Sequence, residues 1–378
     1  MVPPVPLDEI AASDARLSRV IGLDDREVIR IVANDATHLD WLEEALGPLP
    51  DARRSAPGWE IRAQFSRSDY LRIREARPAK GVREQACFAF DSSTVTLPTW
   101  SSGRGLAIDD EERSAIFFVR PGRIDIVGDA STRRSRSTLL LIVSELIANA
   151  RVPQQLDLHA ACVVVGDRAL VLLGPKRAGK TTVSLHLLAT GRAQMVSNDR
   201  TFVGFSGAGP VARGLSTMIR IRPETAAQLP QLHDARPWTK RGYTLTVAEL
   251  AECSGSWPDG AELLLSAAQV AERLGARRVA EARVGELLFL ETDGAGVGIA
   301  AERMTRQSVE TALMQNVFGG RVGGRRATVF DQNDRPHRSR EPLAAELARS
   351  VSGFRVRLGS DAYGVDFAGR LLHRLARA

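Results

Sequence analysis

The stretch that most constrains this chain of 378 residues runs from Leu170 to Thr182. Its apolar start, residues 170–173, predicts a buried strand, and the apolar residues after Thr182 recur at helical spacing. Between them lie the four residues that fit the pattern G-x-x-x-x-G-K-[ST], namely Gly174, Gly179, Lys180 and Thr181. A strand, a glycine-rich loop and a helix, in that order, are the setting in which this pattern binds phosphate. The sequence therefore predicts a phosphate-binding loop that leads into a helix.

The residue types in this loop suit a nucleotide. Glycines allow backbone N–H groups to converge on an anion, and the helix N-terminus adds its positive dipole end. We expect Lys180, as a charge in a solvated loop, to reach the β- and γ-phosphates, and the Thr181 hydroxyl to bind Mg²⁺. The residues expected to contact the nucleotide are Gly174, Pro175, Lys176, Arg177, Ala178, Gly179, Lys180, Thr181 and Thr182.

Composition narrows the classes of partner. The chain carries a net charge of +6, but its basic residues are almost all arginines and are scattered rather than clustered. Aromatic residues make up only 5% of the chain, which leaves little material for stacking on single-stranded nucleic acid. The charge therefore indicates an arginine-rich composition more than a nucleic-acid partner.

The sequence also predicts a cytoplasmic protein without a membrane segment. The first residues have neither the basic region nor the apolar core of a signal peptide. Apolar runs are all well short of the roughly 18 residues that a spanning helix needs. Cys87, Cys162 and Cys253 lack C-x-x-C spacing, so we expect neither a disulfide framework nor a zinc site.

The order of the expected elements predicts an α/β fold with two domains. Residues 1–84 form an N-terminal α/β region that carries no chemical motif, and its role stays open. Within it, residues 24–33 and 38–46 both have the spacing of short amphipathic helices. Residues 85–378 form the domain that holds the loop, beginning with strands and a hairpin whose turn is Arg120-Pro-Gly122.

Two further strands are expected to flank the loop. Residues 156–165 form one strand, joined to residues 168–173 by the two-residue turn Gly166-Asp167. After the loop helix, residues 193–203 form another, with a polar group in its middle that includes Asn198 and Asp199. A carboxylate on a strand that follows the loop helix is well placed to bind the same metal as Thr181.

Three motifs in this order resemble the HPr serine kinase family. They are Leu158-His-Ala-Ala-Cys-Val163, the loop from Gly174 to Thr181, and Asn198-Asp-Arg200. The resemblance covers about 50 residues well and the C-terminal third loosely. It implies a P-loop core similar to phosphoenolpyruvate carboxykinase, ATP and Mg²⁺ as ligands, Lys180 and Asp199 as catalytic residues, and a contact of His159 with the paired carboxylates. Divergent relatives phosphorylate a serine of a precursor peptide, a role that a long N-terminal region would suit.

One departure bears on the chemistry. The family's first aspartate, thought to be the general base, is Asn198 here, and an amide cannot take up a proton. Asn198 could orient the acceptor hydroxyl, since phosphoryl transfer through a loose transition state asks little of a base. Alternatively, Asp199 serves both roles, or the site binds nucleotide without kinase chemistry. From the residues alone, His159 is equally a histidine that simply lies in a strand.

The sequence thus favours an ATP-dependent kinase that phosphorylates a hydroxyl of a peptide, protein or small metabolite. The alternative is a nucleotide-binding regulatory or assembly protein with little kinase activity. A nucleic-acid-linked ATPase is disfavoured because the sequence lacks aromatic residues interleaved with basic ones, helicase-like motifs and lysine patches. The acceptor and the oligomeric state, including a homo-oligomer, stay open.

Overall fold

A computed structural model describes most of the chain. The described residues are 17–22, 27–46, 56–75, 82–88, 94–100, 106–109, 115–120, 122–129, 133–151, 154–215, 217–235, 238–239, 242–243, 247, 262–293, 296, 298–317, 340–364 and 366–378. They form two units. Among the described residues, 17–43 and 56–151 belong to the first unit, and 44–46, 154–317 and 340–378 belong to the second. Residues 84 and 85, between which the sequence predicts a domain boundary, both lie within one strand of the first unit.

The first unit is built on one eight-stranded sheet in the order β1-β2-β3-β8-β7-β6-β5-β4. Its strands are β1 (Leu17–Gly22), β2 (Glu27–Ala33), β3 (Ala56–Phe65), β4 (Val82–Phe88), β5 (Thr94–Trp100), β6 (Leu106–Asp109), β7 (Ala115–Arg120) and β8 (Arg123–Gly128). Its helices are α1 (Ala36–Leu46), α2 (Arg67–Glu75) and α3 (Arg133–Arg151). β2, β3 and β8 run parallel to one another, and the other pairs are antiparallel.

The second unit is organised around a ten-stranded sheet, whose main path runs β19-β12-β10-β11-β20-β14-β13-β9. β22 pairs with β20 in parallel, and β21 pairs with β22. The strands of this unit are β9 (Leu156–His159), β10 (Ala161–Val165), β11 (Arg168–Leu173), β12 (Ala193–Ser197), β13 (Arg200–Ser206), β14 (Gly209–Leu215), β15 (Ile219–Ile221), β16 (Trp238–Thr239), β17 (Gly242–Tyr243), β18 (Leu263–Leu265), β19 (Arg277–Arg278), β20 (Glu281–Asp293), β21 (Ile299–Arg303) and β22 (Ser352–Gly359).

Helices cover both faces of this second sheet. They are α4 (Lys180–Leu188), α5 (Pro223–Ala227), α6 (Ala267–Arg273), α7 (Arg306–Asn316), α8 (Glu341–Ser350) and α9 (Phe367–Arg377), with a 3₁₀ turn at Pro230–Leu232. Along β11, Leu170 and Leu172 face the core beneath α4 and α9, whereas Val171 and Leu173 face the core beneath α7 and α8. Because successive side chains of a strand point to opposite faces, a strand covered on both sides is apolar throughout.

This arrangement confirms the α/β class and much of the expected order. The hairpin at Arg120-Pro-Gly122 is present as β7 and β8, and the second of the two N-terminal helices is α1. No helix among the described residues is both long and apolar enough to cross a bilayer.

Three element predictions were wrong in an instructive way. Residues 27–33, expected within a helix, form β2, whose Val28, Ile29 and Ile31 are buried. A buried parallel strand is apolar on both faces, so its sequence can imitate a short helical pattern. The single strand expected over 156–165 is broken at Ala160, and that over 193–203 is broken at residues 198–199.

Candidate functional site

The glycine-rich loop joins β11 to α4, and both of its glycines are required by geometry. Gly174 has φ +142°, and a Cβ there would lie 2.6 Å from the carbonyl oxygen of Leu290. Gly179 has φ +90° and touches the Tyr363 side chain. Residues with a side chain rarely adopt such backbone angles, so the path of the chain requires glycine at these two positions of the motif. Arg177 also has a positive φ, +73°, which is uncommon for a residue with a side chain.

The loop leaves the first turn of α4 without a side-chain cap. Gly179 occupies the N-cap position and makes no side-chain hydrogen bond to the helix. The first N–H groups of a helix have no partner within it, so an uncapped N-terminus can bind an anion. Pro175, Lys176 and Arg177 are exposed at the tip of the loop, while Ala178 is buried.

Lys180 is the first residue of α4, and its environment differs from the expectation. The solvated position expected for it is wrong, since the side chain is only 8% exposed. Its Nζ donates to the carbonyl oxygens of Gly174, at 2.6 Å, and Pro175, at 3.2 Å. Burial lowers the pKa of this ammonium group, and the nearby Asp199 carboxylate raises it in part. These two hydrogen bonds hold the lysine side chain against the backbone at the start of the loop.

The start of the loop is anchored by a residue that the sequence did not indicate. The Gly174 N–H donates to Asn316 Oδ1 at 3.0 Å, and Asn316 Nδ2 donates to the Ala312 carbonyl at 2.8 Å. The next residue, Val317, forms an isolated bridge with Leu158 of β9. The C-terminal end of α7 therefore contacts both the loop and the strand that carries His159. Nothing in the local sequence marks Asn316, because its partner lies 142 residues away.

The two strand breaks that the sequence missed meet at one corner of the sheet. The Ala160 N–H donates to the Asp199 carbonyl at 3.0 Å, and the Thr201 hydroxyl donates to the Ala160 carbonyl at 2.8 Å. Ser197 Oγ and Thr201 Oγ1 lie 2.5 Å apart beside them. Both strands therefore interrupt their ladders at the same place, where the Ala160 backbone bonds to the backbone of Asp199 and to the side chain of Thr201. Buried backbone groups are almost always paired, and these contacts pair the groups that the breaks leave out of the ladders.

This corner brings His159 and Asp199 together. His159 Nε2 lies 3.0 Å from Asp199 Oδ1, with side chains 31% and 44% exposed. Burial by itself would raise the pKa of Asp199, but the hydrogen bond from His159 and the charges of His159, Lys180 and Arg200 hold it below its usual value. In the family that the sequence resembles, the histidine at this position contacts the paired carboxylates, and here His159 contacts Asp199. The lowered pKa favours the ionised form of this carboxylate. Its side chain is half-exposed and interacts electrostatically with Lys180.

Arg200, the third residue of the N-D-R segment, has a structural partner. Its Nε lies 3.0 Å from Asp157 Oδ1 and its Nη2 lies 2.7 Å from Asp157 Oδ2, which makes a bidentate pair. The Asp157 side chain is only 4% exposed. Such forked pairs are geometrically specific, so this one fixes the register of β13 against β9 and with it the place of His159.

The side-chain amide of Asn198 is not free, because both of its ends contact Thr217. Its Oδ1 accepts from the Thr217 N–H at 3.2 Å, and its Nδ2 lies 3.5 Å from Thr217 Oγ1. The amide thus ties the turn between β12 and β13 to the segment after β14. Thr182, expected at the nucleotide, pairs its hydroxyl with Thr225 Oγ1 at 3.0 Å. Neither Thr217 nor Thr225 was singled out by the sequence.

The residues present fit a magnesium ion bound together with phosphates. The described residues hold no group of three His, Cys, Asp or Glu side chains able to bind a metal without other ligands. Mg²⁺, however, typically takes only one or two carboxylates and completes its shell with water and substrate phosphate oxygens. Asp199 offers an ionised, half-exposed carboxylate, and Thr181 follows Lys180 in the first turn of α4.

Comparisons with known proteins add little to this geometry. No protein-family model matches the chain, and no curated protein matches it. Among solved structures, the chain is similar to the Hpr(Ser) kinase/phosphatase from Coxiella burnetii, with 11% identity and a TM-score of 0.26. That match covers 58% of this chain and 88% of the other. A TM-score this low does not establish a shared family or activity.

Proposed function

We propose that this protein is an ATP-dependent kinase that transfers the γ-phosphoryl group to a hydroxyl of a peptide, protein or small metabolite. The observation that carries the proposal is the electrostatic interaction of Lys180, at the end of the glycine-rich loop, with Asp199, which contacts His159 at the break between β12 and β13. The Lys180 and Asp199 charges are close enough that each shifts the other's pKa towards its charged form. An ionised carboxylate beside a phosphate-binding lysine is what phosphoryl transfer needs.

The chain's own residues divide the work. The loop backbone from Gly174 to Gly179 and the uncapped start of α4 bind the phosphates, and Lys180 neutralises the charge that develops on them. Asp199 and Thr181 would hold Mg²⁺, which when bound would spread the negative charge of the phosphates. His159 orients Asp199 and helps to keep it ionised.

The lowered pKa of Asp199 separates two of the roles left open for it. A general base works best when its pKa lies near the working pH, and that of Asp199 lies below the ordinary aspartate value. A lowered pKa instead favours the charged form that a hard cation requires. Asp199 is therefore better suited to binding the metal than to taking the proton of the acceptor.

One observation favours the second candidate, a nucleotide-binding regulatory or assembly protein. Asn198 stands where the resembled family has its proposed base, and its amide is engaged at both ends by Thr217. A site with a structural amide at this position could bind nucleotide and transfer slowly. The kinase is preferred because a loose transition state depends on positioning and charge more than on a base.

ADP release measures the difference. The full chain with Mg²⁺ and ATP is assayed alone and with hydroxyl-bearing peptides, proteins and sugars. Steady ADP release that depends on an acceptor, with phosphate found on that acceptor, supports the kinase. Nucleotide binding without turnover supports the second candidate. Absence of nucleotide binding would contradict both candidate functions.

A further inference from the structure

Tyr363 lies against the last glycine of the loop. A Cβ built on Gly179 would collide with the Tyr363 hydroxyl and would lie 3.7 Å from its Cζ. On its other side the ring stacks with His186 of α4, at 5.5 Å between centroids, and packs on Phe367 at 5.0 Å. The tyrosine is therefore held firmly, with its hydroxyl directed at the backbone where the loop becomes the helix.

The Tyr363 hydroxyl is buried and, within the part of the chain that the structure describes, has no hydrogen-bond partner. Burial raises the pKa of this phenol to about 12, so at neutral pH it keeps its proton and can donate. Buried polar groups are nearly always hydrogen-bonded, and one that is not calls for an explanation.

The neighbouring loop does not supply an acceptor. The carbonyl oxygen of Gly179, the residue that the hydroxyl touches, already accepts from the Val183 N–H at 2.8 Å. What a loop of this kind presents to its centre is N–H groups, which are donors like the phenol itself. An oxygen of an anion bound by the loop would accept from both.

We propose that Tyr363 donates its hydroxyl to a phosphate oxygen of the bound nucleotide and so belongs to the phosphate-binding site. The inference rests on the proposed function, because it requires that the loop bind a nucleotide. It adds a residue 184 positions beyond Gly179 that the sequence motif does not contain. It also gives this tyrosine a role for its hydroxyl that is separate from the packing of its ring.

The test is Tyr363→Phe in the full chain, which removes the hydroxyl and keeps the ring. Affinity for Mg²⁺-ADP and for Mg²⁺-pyrophosphate is measured by calorimetry, and the melting temperature is measured without ligand. We expect both affinities to fall about tenfold or more, as when a hydrogen bond to a charged group is lost. The unliganded melting temperature should stay equal or rise, because an unsatisfied buried group is removed. Tyr70→Phe, at a buried tyrosine of the first unit, is the control and should leave both affinities unchanged.

Each of the other possible outcomes would contradict either this inference or the proposed function. Unchanged affinities in Tyr363→Phe would overturn the inference, as would a clear fall in the unliganded melting temperature, which would show a structural partner for the hydroxyl. Weaker ADP binding with unchanged pyrophosphate binding would place the hydroxyl on the nucleoside and overturn the phosphate contact. If the wild-type chain binds neither probe, the proposed function itself fails.

Discussion

Two of the strand–loop–helix segments in this chain end differently. In the first unit, β2 leads through Asn34 and Asp35 into α1. The Asp35 carboxylate accepts from the Thr37 N–H at 2.8 Å and from the Thr37 hydroxyl at 2.7 Å, which caps the helix. In the second unit, β11 leads through six residues into α4, whose N-cap is Gly179 and which has no side-chain cap.

The two segments are also fastened in comparable ways. Asn34 in the first unit accepts from the Phe65 N–H at 2.9 Å, and Asn316 in the second accepts from the Gly174 N–H at 3.0 Å. An asparagine amide therefore holds the backbone beside each loop. The segments differ at the helix N-terminus, where the first uses its own carboxylate and the second leaves its N–H groups without a side-chain cap.

The comparison shows that a helix following a strand keeps its N-terminal N–H groups available to an anion only when no side chain of the protein caps them. Asp35 carries the charge that a bound phosphate would carry, so α1 needs no ligand. Around the start of α4 the chain has basic residues where α1 has an acidic one, namely Lys176 and Arg177 in the loop and Lys180 in the helix. Four predictions break or sharpen this contrast.

The largest effect is expected from Lys180. Lys180→Ala should lower turnover by about 10²–10³-fold, the size of effect seen when one major electrostatic stabiliser is removed. Because the side chain is buried, Ala also leaves a space. Lys180→Met fills that space without the charge and should lose as much activity while melting close to wild type. Full activity in a folded Lys180→Met variant would remove the lysine from the site.

Asp199→Asn should weaken magnesium-dependent turnover by about tenfold or more, since a neutral amide is a poorer ligand for a hard cation. Nucleotide affinity should fall as Lys180 loses its proton at alkaline pH, and in this variant that fall should begin at a lower pH than in the wild type. The reason is that the Asp199 charge opposes the lowering of the Lys180 pKa by burial. Magnesium titrations of ADP release and ADP affinity against pH measure the two effects. An unchanged magnesium requirement would show that the carboxylate is not a ligand.

A smaller effect is expected from Asn198→Asp. The new carboxylate would lie beside Asp199, and it would lose the Nδ2 donor that faces Thr217 Oγ1. We expect the acceptor-stimulated rate to fall by about two- to tenfold, up to roughly 1.4 kcal/mol, with nucleotide affinity nearly unchanged. Rates with and without acceptor and the ADP dissociation constant provide the measurement. A tenfold increase in rate would show that a base is missing here and that the position is catalytic.

The smallest effect on the site is expected from the first unit. Asp35→Ala removes the cap of α1 and should cost about 1 kcal/mol of stability, with ADP affinity unchanged. Burial would raise the pKa of Asp35, but its hydrogen bonds to Thr37 and the interaction with His38 hold it below the ordinary value. The stabilisation is therefore present above the ordinary pKa and is lost as pH falls through the lowered one. Thermal melts at neutral and acidic pH should show the variant and wild type converging in acid, and a constant gap would contradict this account.

Much of the second unit could be predicted from the sequence. The strand, glycines and helix around Lys180 were identified because each signal is local: an apolar run, the spacing of Gly174 and Gly179, and helical spacing after them. The structure then gives both glycines a positive φ. The breaks at Ala160 and at residues 198–199 could not be identified in that way. Each strand read alone is continuous, and only their mutual hydrogen bonds show why both stop. The strand β2 was mistaken for a helix because burial on both faces removes the alternation that marks a strand.

The sequence by itself determined the path of the glycine-rich loop, because glycine, lysine and helix spacing within a dozen residues leave the backbone few alternatives. Tertiary structure alone decided that His159 meets Asp199, that Asn316 binds Gly174 and that Tyr363 touches Gly179. Those contacts depend on strand register and on elements far apart in the chain, and a shift of one residue in β9 or β13 would turn the side chains to the other face.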